Sequence, residues 1–153
     1  MTETKPHILI VESRYYDVIA AEMLAGVTEA LGAAGASYEL VEVPGAFEIP
    51  AAVRIAVEAC EKGKRSFDGY IGLGCVIRGE TTHYDYVCQE SARGLQDLAL
   101  KHGIPIGYGV LTCENRDQAM VRADRKQGDK GGFVAKACLS MVALRGHFGL
   151  DTQ

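Results

Sequence analysis

The sequence has no block of like charge, no low-complexity tract, no internal repeat and no long apolar run, and each absence removes a class of protein. With 48% apolar and 24% charged residues and no biased tract, the composition is that of a folded globular chain, not a disordered one. A net charge of -4, with Lys and Arg scattered along the chain, lacks the basic footprint that phosphate backbones require. Nucleic acid is therefore not expected as a partner. The apolar stretch Ile8 to Val11, after a short polar start, is too brief for a secretory signal or a membrane span. The expected location is the cytoplasm, with no membrane contact.

Cysteine pairs are missing too. Cys60, Cys75, Cys88, Cys113 and Cys138 are odd in number and never fall in a C-x-x-C pair, so neither a disulfide framework nor a zinc site is expected. Buried, reduced thiols are the ordinary reading. The nucleotide signatures are also absent. Gly72-Leu73-Gly74 runs into Cys75-Val76-Ile77 without the third glycine of G-x-G-x-x-G, and no G-x-x-x-x-G-K-[ST] occurs. A dinucleotide or ATP site is disfavoured.

What is present is an alternation of two hydrophobic periods. At 153 residues the chain is read as one domain over 1–153, with 1–6 as a flexible N-terminal segment. Four apolar, β-branched segments closed by polar or glycine-rich residues predict strands at His7 to Val11, Tyr38 to Val43, Tyr70 to Ile77 and Ile104 to Thr112. Helical spacing follows each. The first helix is predicted from Asp17 to Ala34, with Val18, Ala21, Leu24, Ala25, Thr28 and Leu31 on its apolar stripe. A second covers Ile49 to Glu61, with Pro50 in the first turn and Gly63 as the stop. A third carries Tyr84, Val87, Cys88, Ser91, Leu95, Leu98 and Ala99 and ends near Gly103. Asn115 reads as the N-cap of a helix through Arg122. A last helix from about Gly131 carries Val134, Ala137, Cys138, Met141 and Leu144.

The order βαβαβαβαα implies a parallel sheet with helices on both faces, because parallel neighbours need crossover connections. Ligands of such sheets bind beyond the carboxyl ends of the strands. Side chains with chemistry cluster at those four junctions. The third, Gly74 to His83, is the richest: a glycine-bounded turn precedes Thr81 and Thr82 at a helix start, where orphan amides, hydroxyls and the helix dipole suit an anion such as phosphate. Simple capping by either threonine accounts for the same residues equally well. His83 adds an imidazole, a candidate general acid or base, although a histidine at a helix start is more often solvated.

Arg122 and Lys130 could meet an anion held there, the arginine bidentately and the lysine as a point charge; a solvated face is the alternative. Glu48, beside Phe47 and a Pro-Gly turn, can accept hydrogen bonds from ligand hydroxyls or simply favour its helix start. Tyr15, Tyr16 and Tyr108 offer faces for a planar heterocycle, though core packing explains most tyrosines.

Three segments together, Pro44-Gly45-Ala46-Phe47-Glu48-Ile49-Pro50, Gly74 through Asp85 and Gly128-Asp129-Lys130-Gly131, resemble the lumazine synthase family in content, order and spacing, over nearly the whole chain from His7 to Phe148. The resemblance implies a flavodoxin-like three-layer α-β-α sandwich with a four-stranded, mainly parallel sheet, open to completion by an N-terminal strand from a neighbouring subunit. It implies condensation of 5-amino-6-(D-ribitylamino)uracil with 3,4-dihydroxy-2-butanone 4-phosphate to 6,7-dimethyl-8-ribityllumazine, with phosphate and water released, as a transferase of riboflavin biosynthesis. No metal and no organic cofactor is implied.

By position, the resemblance puts Tyr15 against the pyrimidine ring, and Ala46, Phe47 and Glu48 along the ribityl chain. Cys75, Val76 and Ile77 would meet the uracil edge through backbone groups, and Glu80 and Thr81 the phosphate through amides. His83 would move protons, Tyr108 would be a further ring-side aromatic, and Arg122 and Lys130 would be the basic residues near phosphate and substrate. In the family these later residues come from an adjacent subunit, so a homopentamer is implied, and some members build icosahedral shells from pentamers. The short loop between Arg122 and Lys130 permits such a shell. Three departures stand out: Tyr15 and Tyr108 where Phe or Trp is common, Glu80 placing a carboxylate near phosphate, and Phe133 where an acidic residue often stands. The competing readings are a non-catalytic flavin-binding module and a structural shell protein with a decayed pocket; intact Arg122, His83 and strand-end motifs argue against both.

Overall fold

A computed structural model of the chain describes residues 5–150. The expected flexible segment at 1–6, and the strand a neighbour's N-terminus would add, fall largely outside the described residues. Four strands, β1 (His7–Ser13), β2 (Ser37–Val43), β3 (Gly69–Ile77) and β4 (Ile106–Cys113), form one all-parallel sheet in the order β2-β1-β3-β4. The helices are α1 (Asp17–Ala33), α2 (Ile49–Glu61), α3 (His83–His102), α4 (Arg116–Ala123) and α5 (Lys130–His147), and a 3-10 turn at Ala46–Glu48 leads into α2. This is the expected three-layer α/β arrangement, with strand ends shifted by only one or two residues.

Strand alternation separates two cores. Ile8, Ile10, Ile71, Leu73 and Leu111 face α1, α4 and α5, whereas Leu9, Val11, Tyr70 and Val110 face α2 and α3. Because a parallel sheet is buried on both faces, its inner strands read as continuous apolar runs, and β1 is buried from Ile8 to Ser13. Tyr70 lies in the second core, where burial raises its phenol's pKa. Every cysteine is free; Cys113 and Cys138 are buried, and Cys60, Cys75 and Cys88 are half-buried.

Two helix faces differ from expectation. The buried residues of α1 are Ile19, Met23, Gly26, Val27 and Leu31, whereas Val18 is 59% exposed and Ala21 is also exposed. Because α1 is apolar around much of its circumference, spacing fits more than one stripe, and α5 selects between them. A Cβ at Gly26 would lie 2.8 Å from Asp129 Oδ1 and 3.0 Å from the Gly132 nitrogen, and one at Gly131 would collide with the Met23 carbonyl oxygen. Glycine thus lets the two backbones approach closely. On α5, Val134, Ala135 and Cys138 are buried, but Met141 and Leu144 are exposed.

Candidate active site

β1, the β2–α2 connection and β3 all end at the same edge of the sheet, because parallel strands carry their carboxyl ends together. Between them lies a cleft of about 560 Å³ lined by Ser13, Tyr15, Tyr16, the segment 44–48, Cys75, Val76, Ile77, His83 and Val87. Nine residues singled out from the sequence therefore meet in one place: Tyr15, Tyr16, Ala46, Phe47, Glu48, Cys75, Val76, Ile77 and His83.

Each wall has a local cause. The Ser13–Tyr16 turn is held by Arg14, whose Nη1 donates to Glu12 Oε1 at 3.1 Å and whose Nε pairs with Asp17 at 3.5 Å. Glu12 is 3% exposed at the end of β1, so this arginine supplies the counter-charge that a buried carboxylate needs. Tyr15 projects with 77% of its surface exposed and meets Tyr16 edge-to-face at 5.0 Å. Across the cleft, the 3-10 turn presents Phe47 and Glu48 to solvent and tucks Ala46 against the core. Two exposed aromatic rings and one exposed carboxylate thus flank an apolar floor made by the end of β3.

Cys75 lies in that floor. Burial, with Cys113 nearby on the next strand, pushes its thiol up to about 12, so at neutral pH it stays protonated and is no nucleophile. Any polar contact from this wall falls to the backbone. The loop after β3 has the opposite character. The Arg78 amide donates to the Cys113 carbonyl at 2.9 Å, and the His83 amide to Thr81 Oγ1 at 3.3 Å. Among the described residues, no acceptor meets the amides of Gly79, Glu80, Thr81 or Thr82. These free donors sit at the N-terminal, positive end of the 20-residue helix α3, which suits an oxyanion. Thr82 occupies the N-cap position without a side-chain cap bond, and Thr81 supplies the local hydroxyl contact instead. The Glu80 side chain is exposed.

Five expected residues do not line this cleft. Glu80 and Thr81 stand on its rim loop. Tyr108 lies on β4 in a second groove of about 580 Å³, bounded by Leu95, Leu100, Ile104, Met141 and Arg145. Arg122 is exposed on α4 and donates to the Gln118 carbonyl at 3.0 Å. Lys130 begins α5, its ammonium 4.6 Å above the Phe133 ring, so the residue in the often-acidic position engages Lys130. The helices α4 and α5 pack on the α1 face of the sheet, opposite α2 and α3.

Ser13, Pro44, Gly45 and Val87 also line the cleft without having been assigned a role. Pro44 and Gly45 lie inside a segment the sequence already marks and Ser13 closes β1, whereas Val87 reads as ordinary core spacing and only packing reveals its second duty.

The family model for 6,7-dimethyl-8-ribityllumazine synthase matches residues 5–146, and with them every strand-end segment that lines the cleft. The chain belongs to the 6,7-dimethyl-8-ribityllumazine synthase family. It is 52% identical over 152 residues to 6,7-dimethyl-8-ribityllumazine synthase 1 of Rhizobium meliloti (strain 1021), covering 99% of both chains. It is also 49% identical to the 6,7-dimethyl-8-ribityllumazine synthase of Agrobacterium fabrum (strain C58 / ATCC 33970), over 95% of this chain and 99% of that protein. The synthase of Azorhizobium caulinodans is 51% identical over 93% of this chain and 88% of that protein. No described helix is long and apolar enough to cross a membrane, and no cluster of metal-ligating side chains occurs among the described residues.

Proposed function

We propose that the chain condenses 5-amino-6-(D-ribitylamino)uracil with 3,4-dihydroxy-2-butanone 4-phosphate, giving 6,7-dimethyl-8-ribityllumazine with release of phosphate and water. The observation that carries the reading is the convergence of Tyr15, Phe47, Glu48, the Cys75–Ile77 floor and His83 on one cleft within a family-typical chain. The uracil ring stacks on Tyr15 and reads the backbone of Cys75 to Ile77. The ribityl hydroxyls donate to Glu48 beside Ala46 and Phe47. The phosphate sits on the free amides of Glu80 and Thr81.

The chemistry asked of the protein is modest. An amine attacks a ketone, water leaves as the imine forms, phosphate is eliminated, and the second nitrogen adds to the remaining carbonyl and closes the ring as a second water leaves. His83, at the mouth of the cleft beside the phosphate loop, moves protons in these steps. Orientation supplies about 7–11 kcal/mol in favourable cases, against roughly 10²–10⁴-fold in rate from a general acid–base group. Holding the substrates therefore matters more than His83 does.

The whole chain, 1–153, acts as one domain within a homopentamer or a multiple of it, in the cytoplasm. Supporting the shared site is the separation just described: Tyr108, Arg122 and Lys130 lie away from their own cleft, so a second copy brings them to it. Arg122 then grips the phosphate, Lys130 lies near the substrate, and Tyr108 adds a second aromatic face.

The test is the absorbance change at the lumazine band when purified protein meets both substrates, with Arg122→Ala beside it. Turnover in the wild type and its loss in the variant are expected. No turnover together with tight riboflavin binding would replace this reading with that of a flavin-binding module.

A further inference from the structure

The loop Gly79–Thr82 has to be held by something. A Cβ added at Gly79 would meet nothing within 4 Å, and Glu80, Thr81 and Thr82 are exposed. Arg78, at the root of the loop, is tied on several sides. Its Nε donates to Glu114 Oε2 at 2.8 Å, its Nη1 to Asp85 Oδ1 at 3.3 Å, and its guanidinium carbon lies 4.3 Å from the centre of the Tyr84 ring. Its backbone amide is bonded to the Cys113 carbonyl at 2.9 Å. One planar group thus joins the loop root, the first turn of α3 and the β4–α4 junction. Glu114 is itself fixed, because its amide donates to Gln118 Oε1 at 2.8 Å on α4.

We propose that Arg78 is a positioning residue of this site: through Glu114, Asp85 and Tyr84 it holds the free loop amides and His83 in register with the end of β4. The proposal rests on the condensation reading of the cleft.

The charges distinguish positioning from direct attraction. Two carboxylates face one guanidinium, so the cluster is net negative and offers a phosphate no pull of its own. Each contact alone is weak at this exposure, the Arg78 side chain being 41% exposed. They converge, however, on a rigid planar group that donates through Nε and Nη1 and lies over the Tyr84 ring, so fixing one contact orients the others. Lysine has neither the fork nor the face. His83 and the loop amides lie within a few residues of these anchors, and small displacements of groups that hold reacting atoms are costly.

Opposite predictions follow for Glu114. If Arg78 worked by its charge, removing the Glu114 carboxylate would leave the site less negative and lower the KM for the phosphorylated ketone. If it works by position, Glu114→Ala harms the enzyme as Arg78→Ala does.

The experiment measures kcat, KM for each substrate and backbone hydrogen exchange for the full-length wild type, Arg78→Ala, Arg78→Lys, Glu114→Ala and the Arg78→Ala/Glu114→Ala double variant. The expected result is a fall in kcat on the order of ten- to a hundredfold in both single alanine variants. The double variant should be no worse than Arg78→Ala, Arg78→Lys should recover little, and exchange should quicken at the bonded amides on either side of the loop, position 78 and Asp85 and Tyr86, but not in β1. A Glu114→Ala enzyme with unchanged or improved kinetics, full recovery by Arg78→Lys, or unchanged exchange at 78, 85 and 86 would each overturn the proposal. A wild-type chain without turnover would instead overturn the condensation reading, and exchange at 78, 85 and 86 would still decide whether Arg78 holds the loop.

Discussion

His83 is the first residue of α3 and stands exposed at the cleft mouth, where protons can reach it from solvent as well as from substrate. Water can stand in for a missing imidazole more readily than for a missing phosphate anchor. His83→Ala is therefore expected to lower kcat while leaving measurable turnover, and Arg122→Ala to cost more in kcat/KM for the phosphorylated ketone. Steady-state kinetics on both variants check the ranking, and a dead His83→Ala enzyme that still binds both substrates would reverse it. Cys75 offers a second test. With its thiol pushed up to about 12 by burial, it is the neutral thiol until the solution is strongly alkaline. Iodoacetamide should label it slowly at pH 7 and faster with every rise in pH, as mass spectrometry can follow. Cys75→Ala should keep kcat within a few-fold, since the proposed uracil contacts of this wall are made by its backbone.

Helix ends carry the next set of consequences. Asn115 caps α4, its Oδ1 accepting from the Gln118 amide at 2.9 Å, as its place before an amphipathic run predicts. Asn115→Ala should cost about 1 kcal/mol of stability, measurable by urea unfolding. The connection from α4 to α5 is also tied to α1: the Arg125 backbone amide and Nε both donate to Glu22 Oε1, at 3.0 and 2.9 Å. The loop bonds keep the Glu22 carboxyl below the usual carboxylate range. Where α5 crosses α1, Gly131→Ala forces a methyl group against the Met23 backbone, a contact that no side-chain rotation relieves. A loss of roughly 1–3 kcal/mol or more is expected, read as a fall in the unfolding midpoint.

The proposed assembly is tested on the surface of the whole molecule. Leu100 is 74% exposed and Met141 47% exposed, and both border the groove that contains Tyr108 along the free edge of β4. A charge placed there would be desolvated by any neighbouring copy. Under the proposed shared site, in which Tyr108, Arg122 and Lys130 of a second copy complete the cleft, Leu100→Glu is expected to shrink the particle in light scattering or native mass spectrometry and to lower turnover per chain with it. Full activity in a monomeric Leu100→Glu protein would remove the shared site from the proposed function.

The sequence by itself determined the order of elements, the parallel sheet and the residues at each strand end, because hydrophobic period and cap chemistry are local properties. It marked Asn115 as a cap, and it marked Tyr15, Phe47, Glu48 and His83, which the fold brings to one cleft, as candidates because short polar and aromatic clusters interrupt apolar runs at those points. Which stripe of α1 is buried could not be read from spacing, since α1 is apolar on several sides and the close approach of Gly131 chooses the face. That Met141 and Leu144 look outward, and that Val87 lines the cleft, likewise depends on where α5 and α3 lie relative to the sheet. Arg78 reads along the chain as one more scattered cation. Only the tertiary structure brings Glu114, distant in sequence by a whole helix and strand, within 2.8 Å of it, because ion pairs between junctions exist only once the strands that carry them lie side by side.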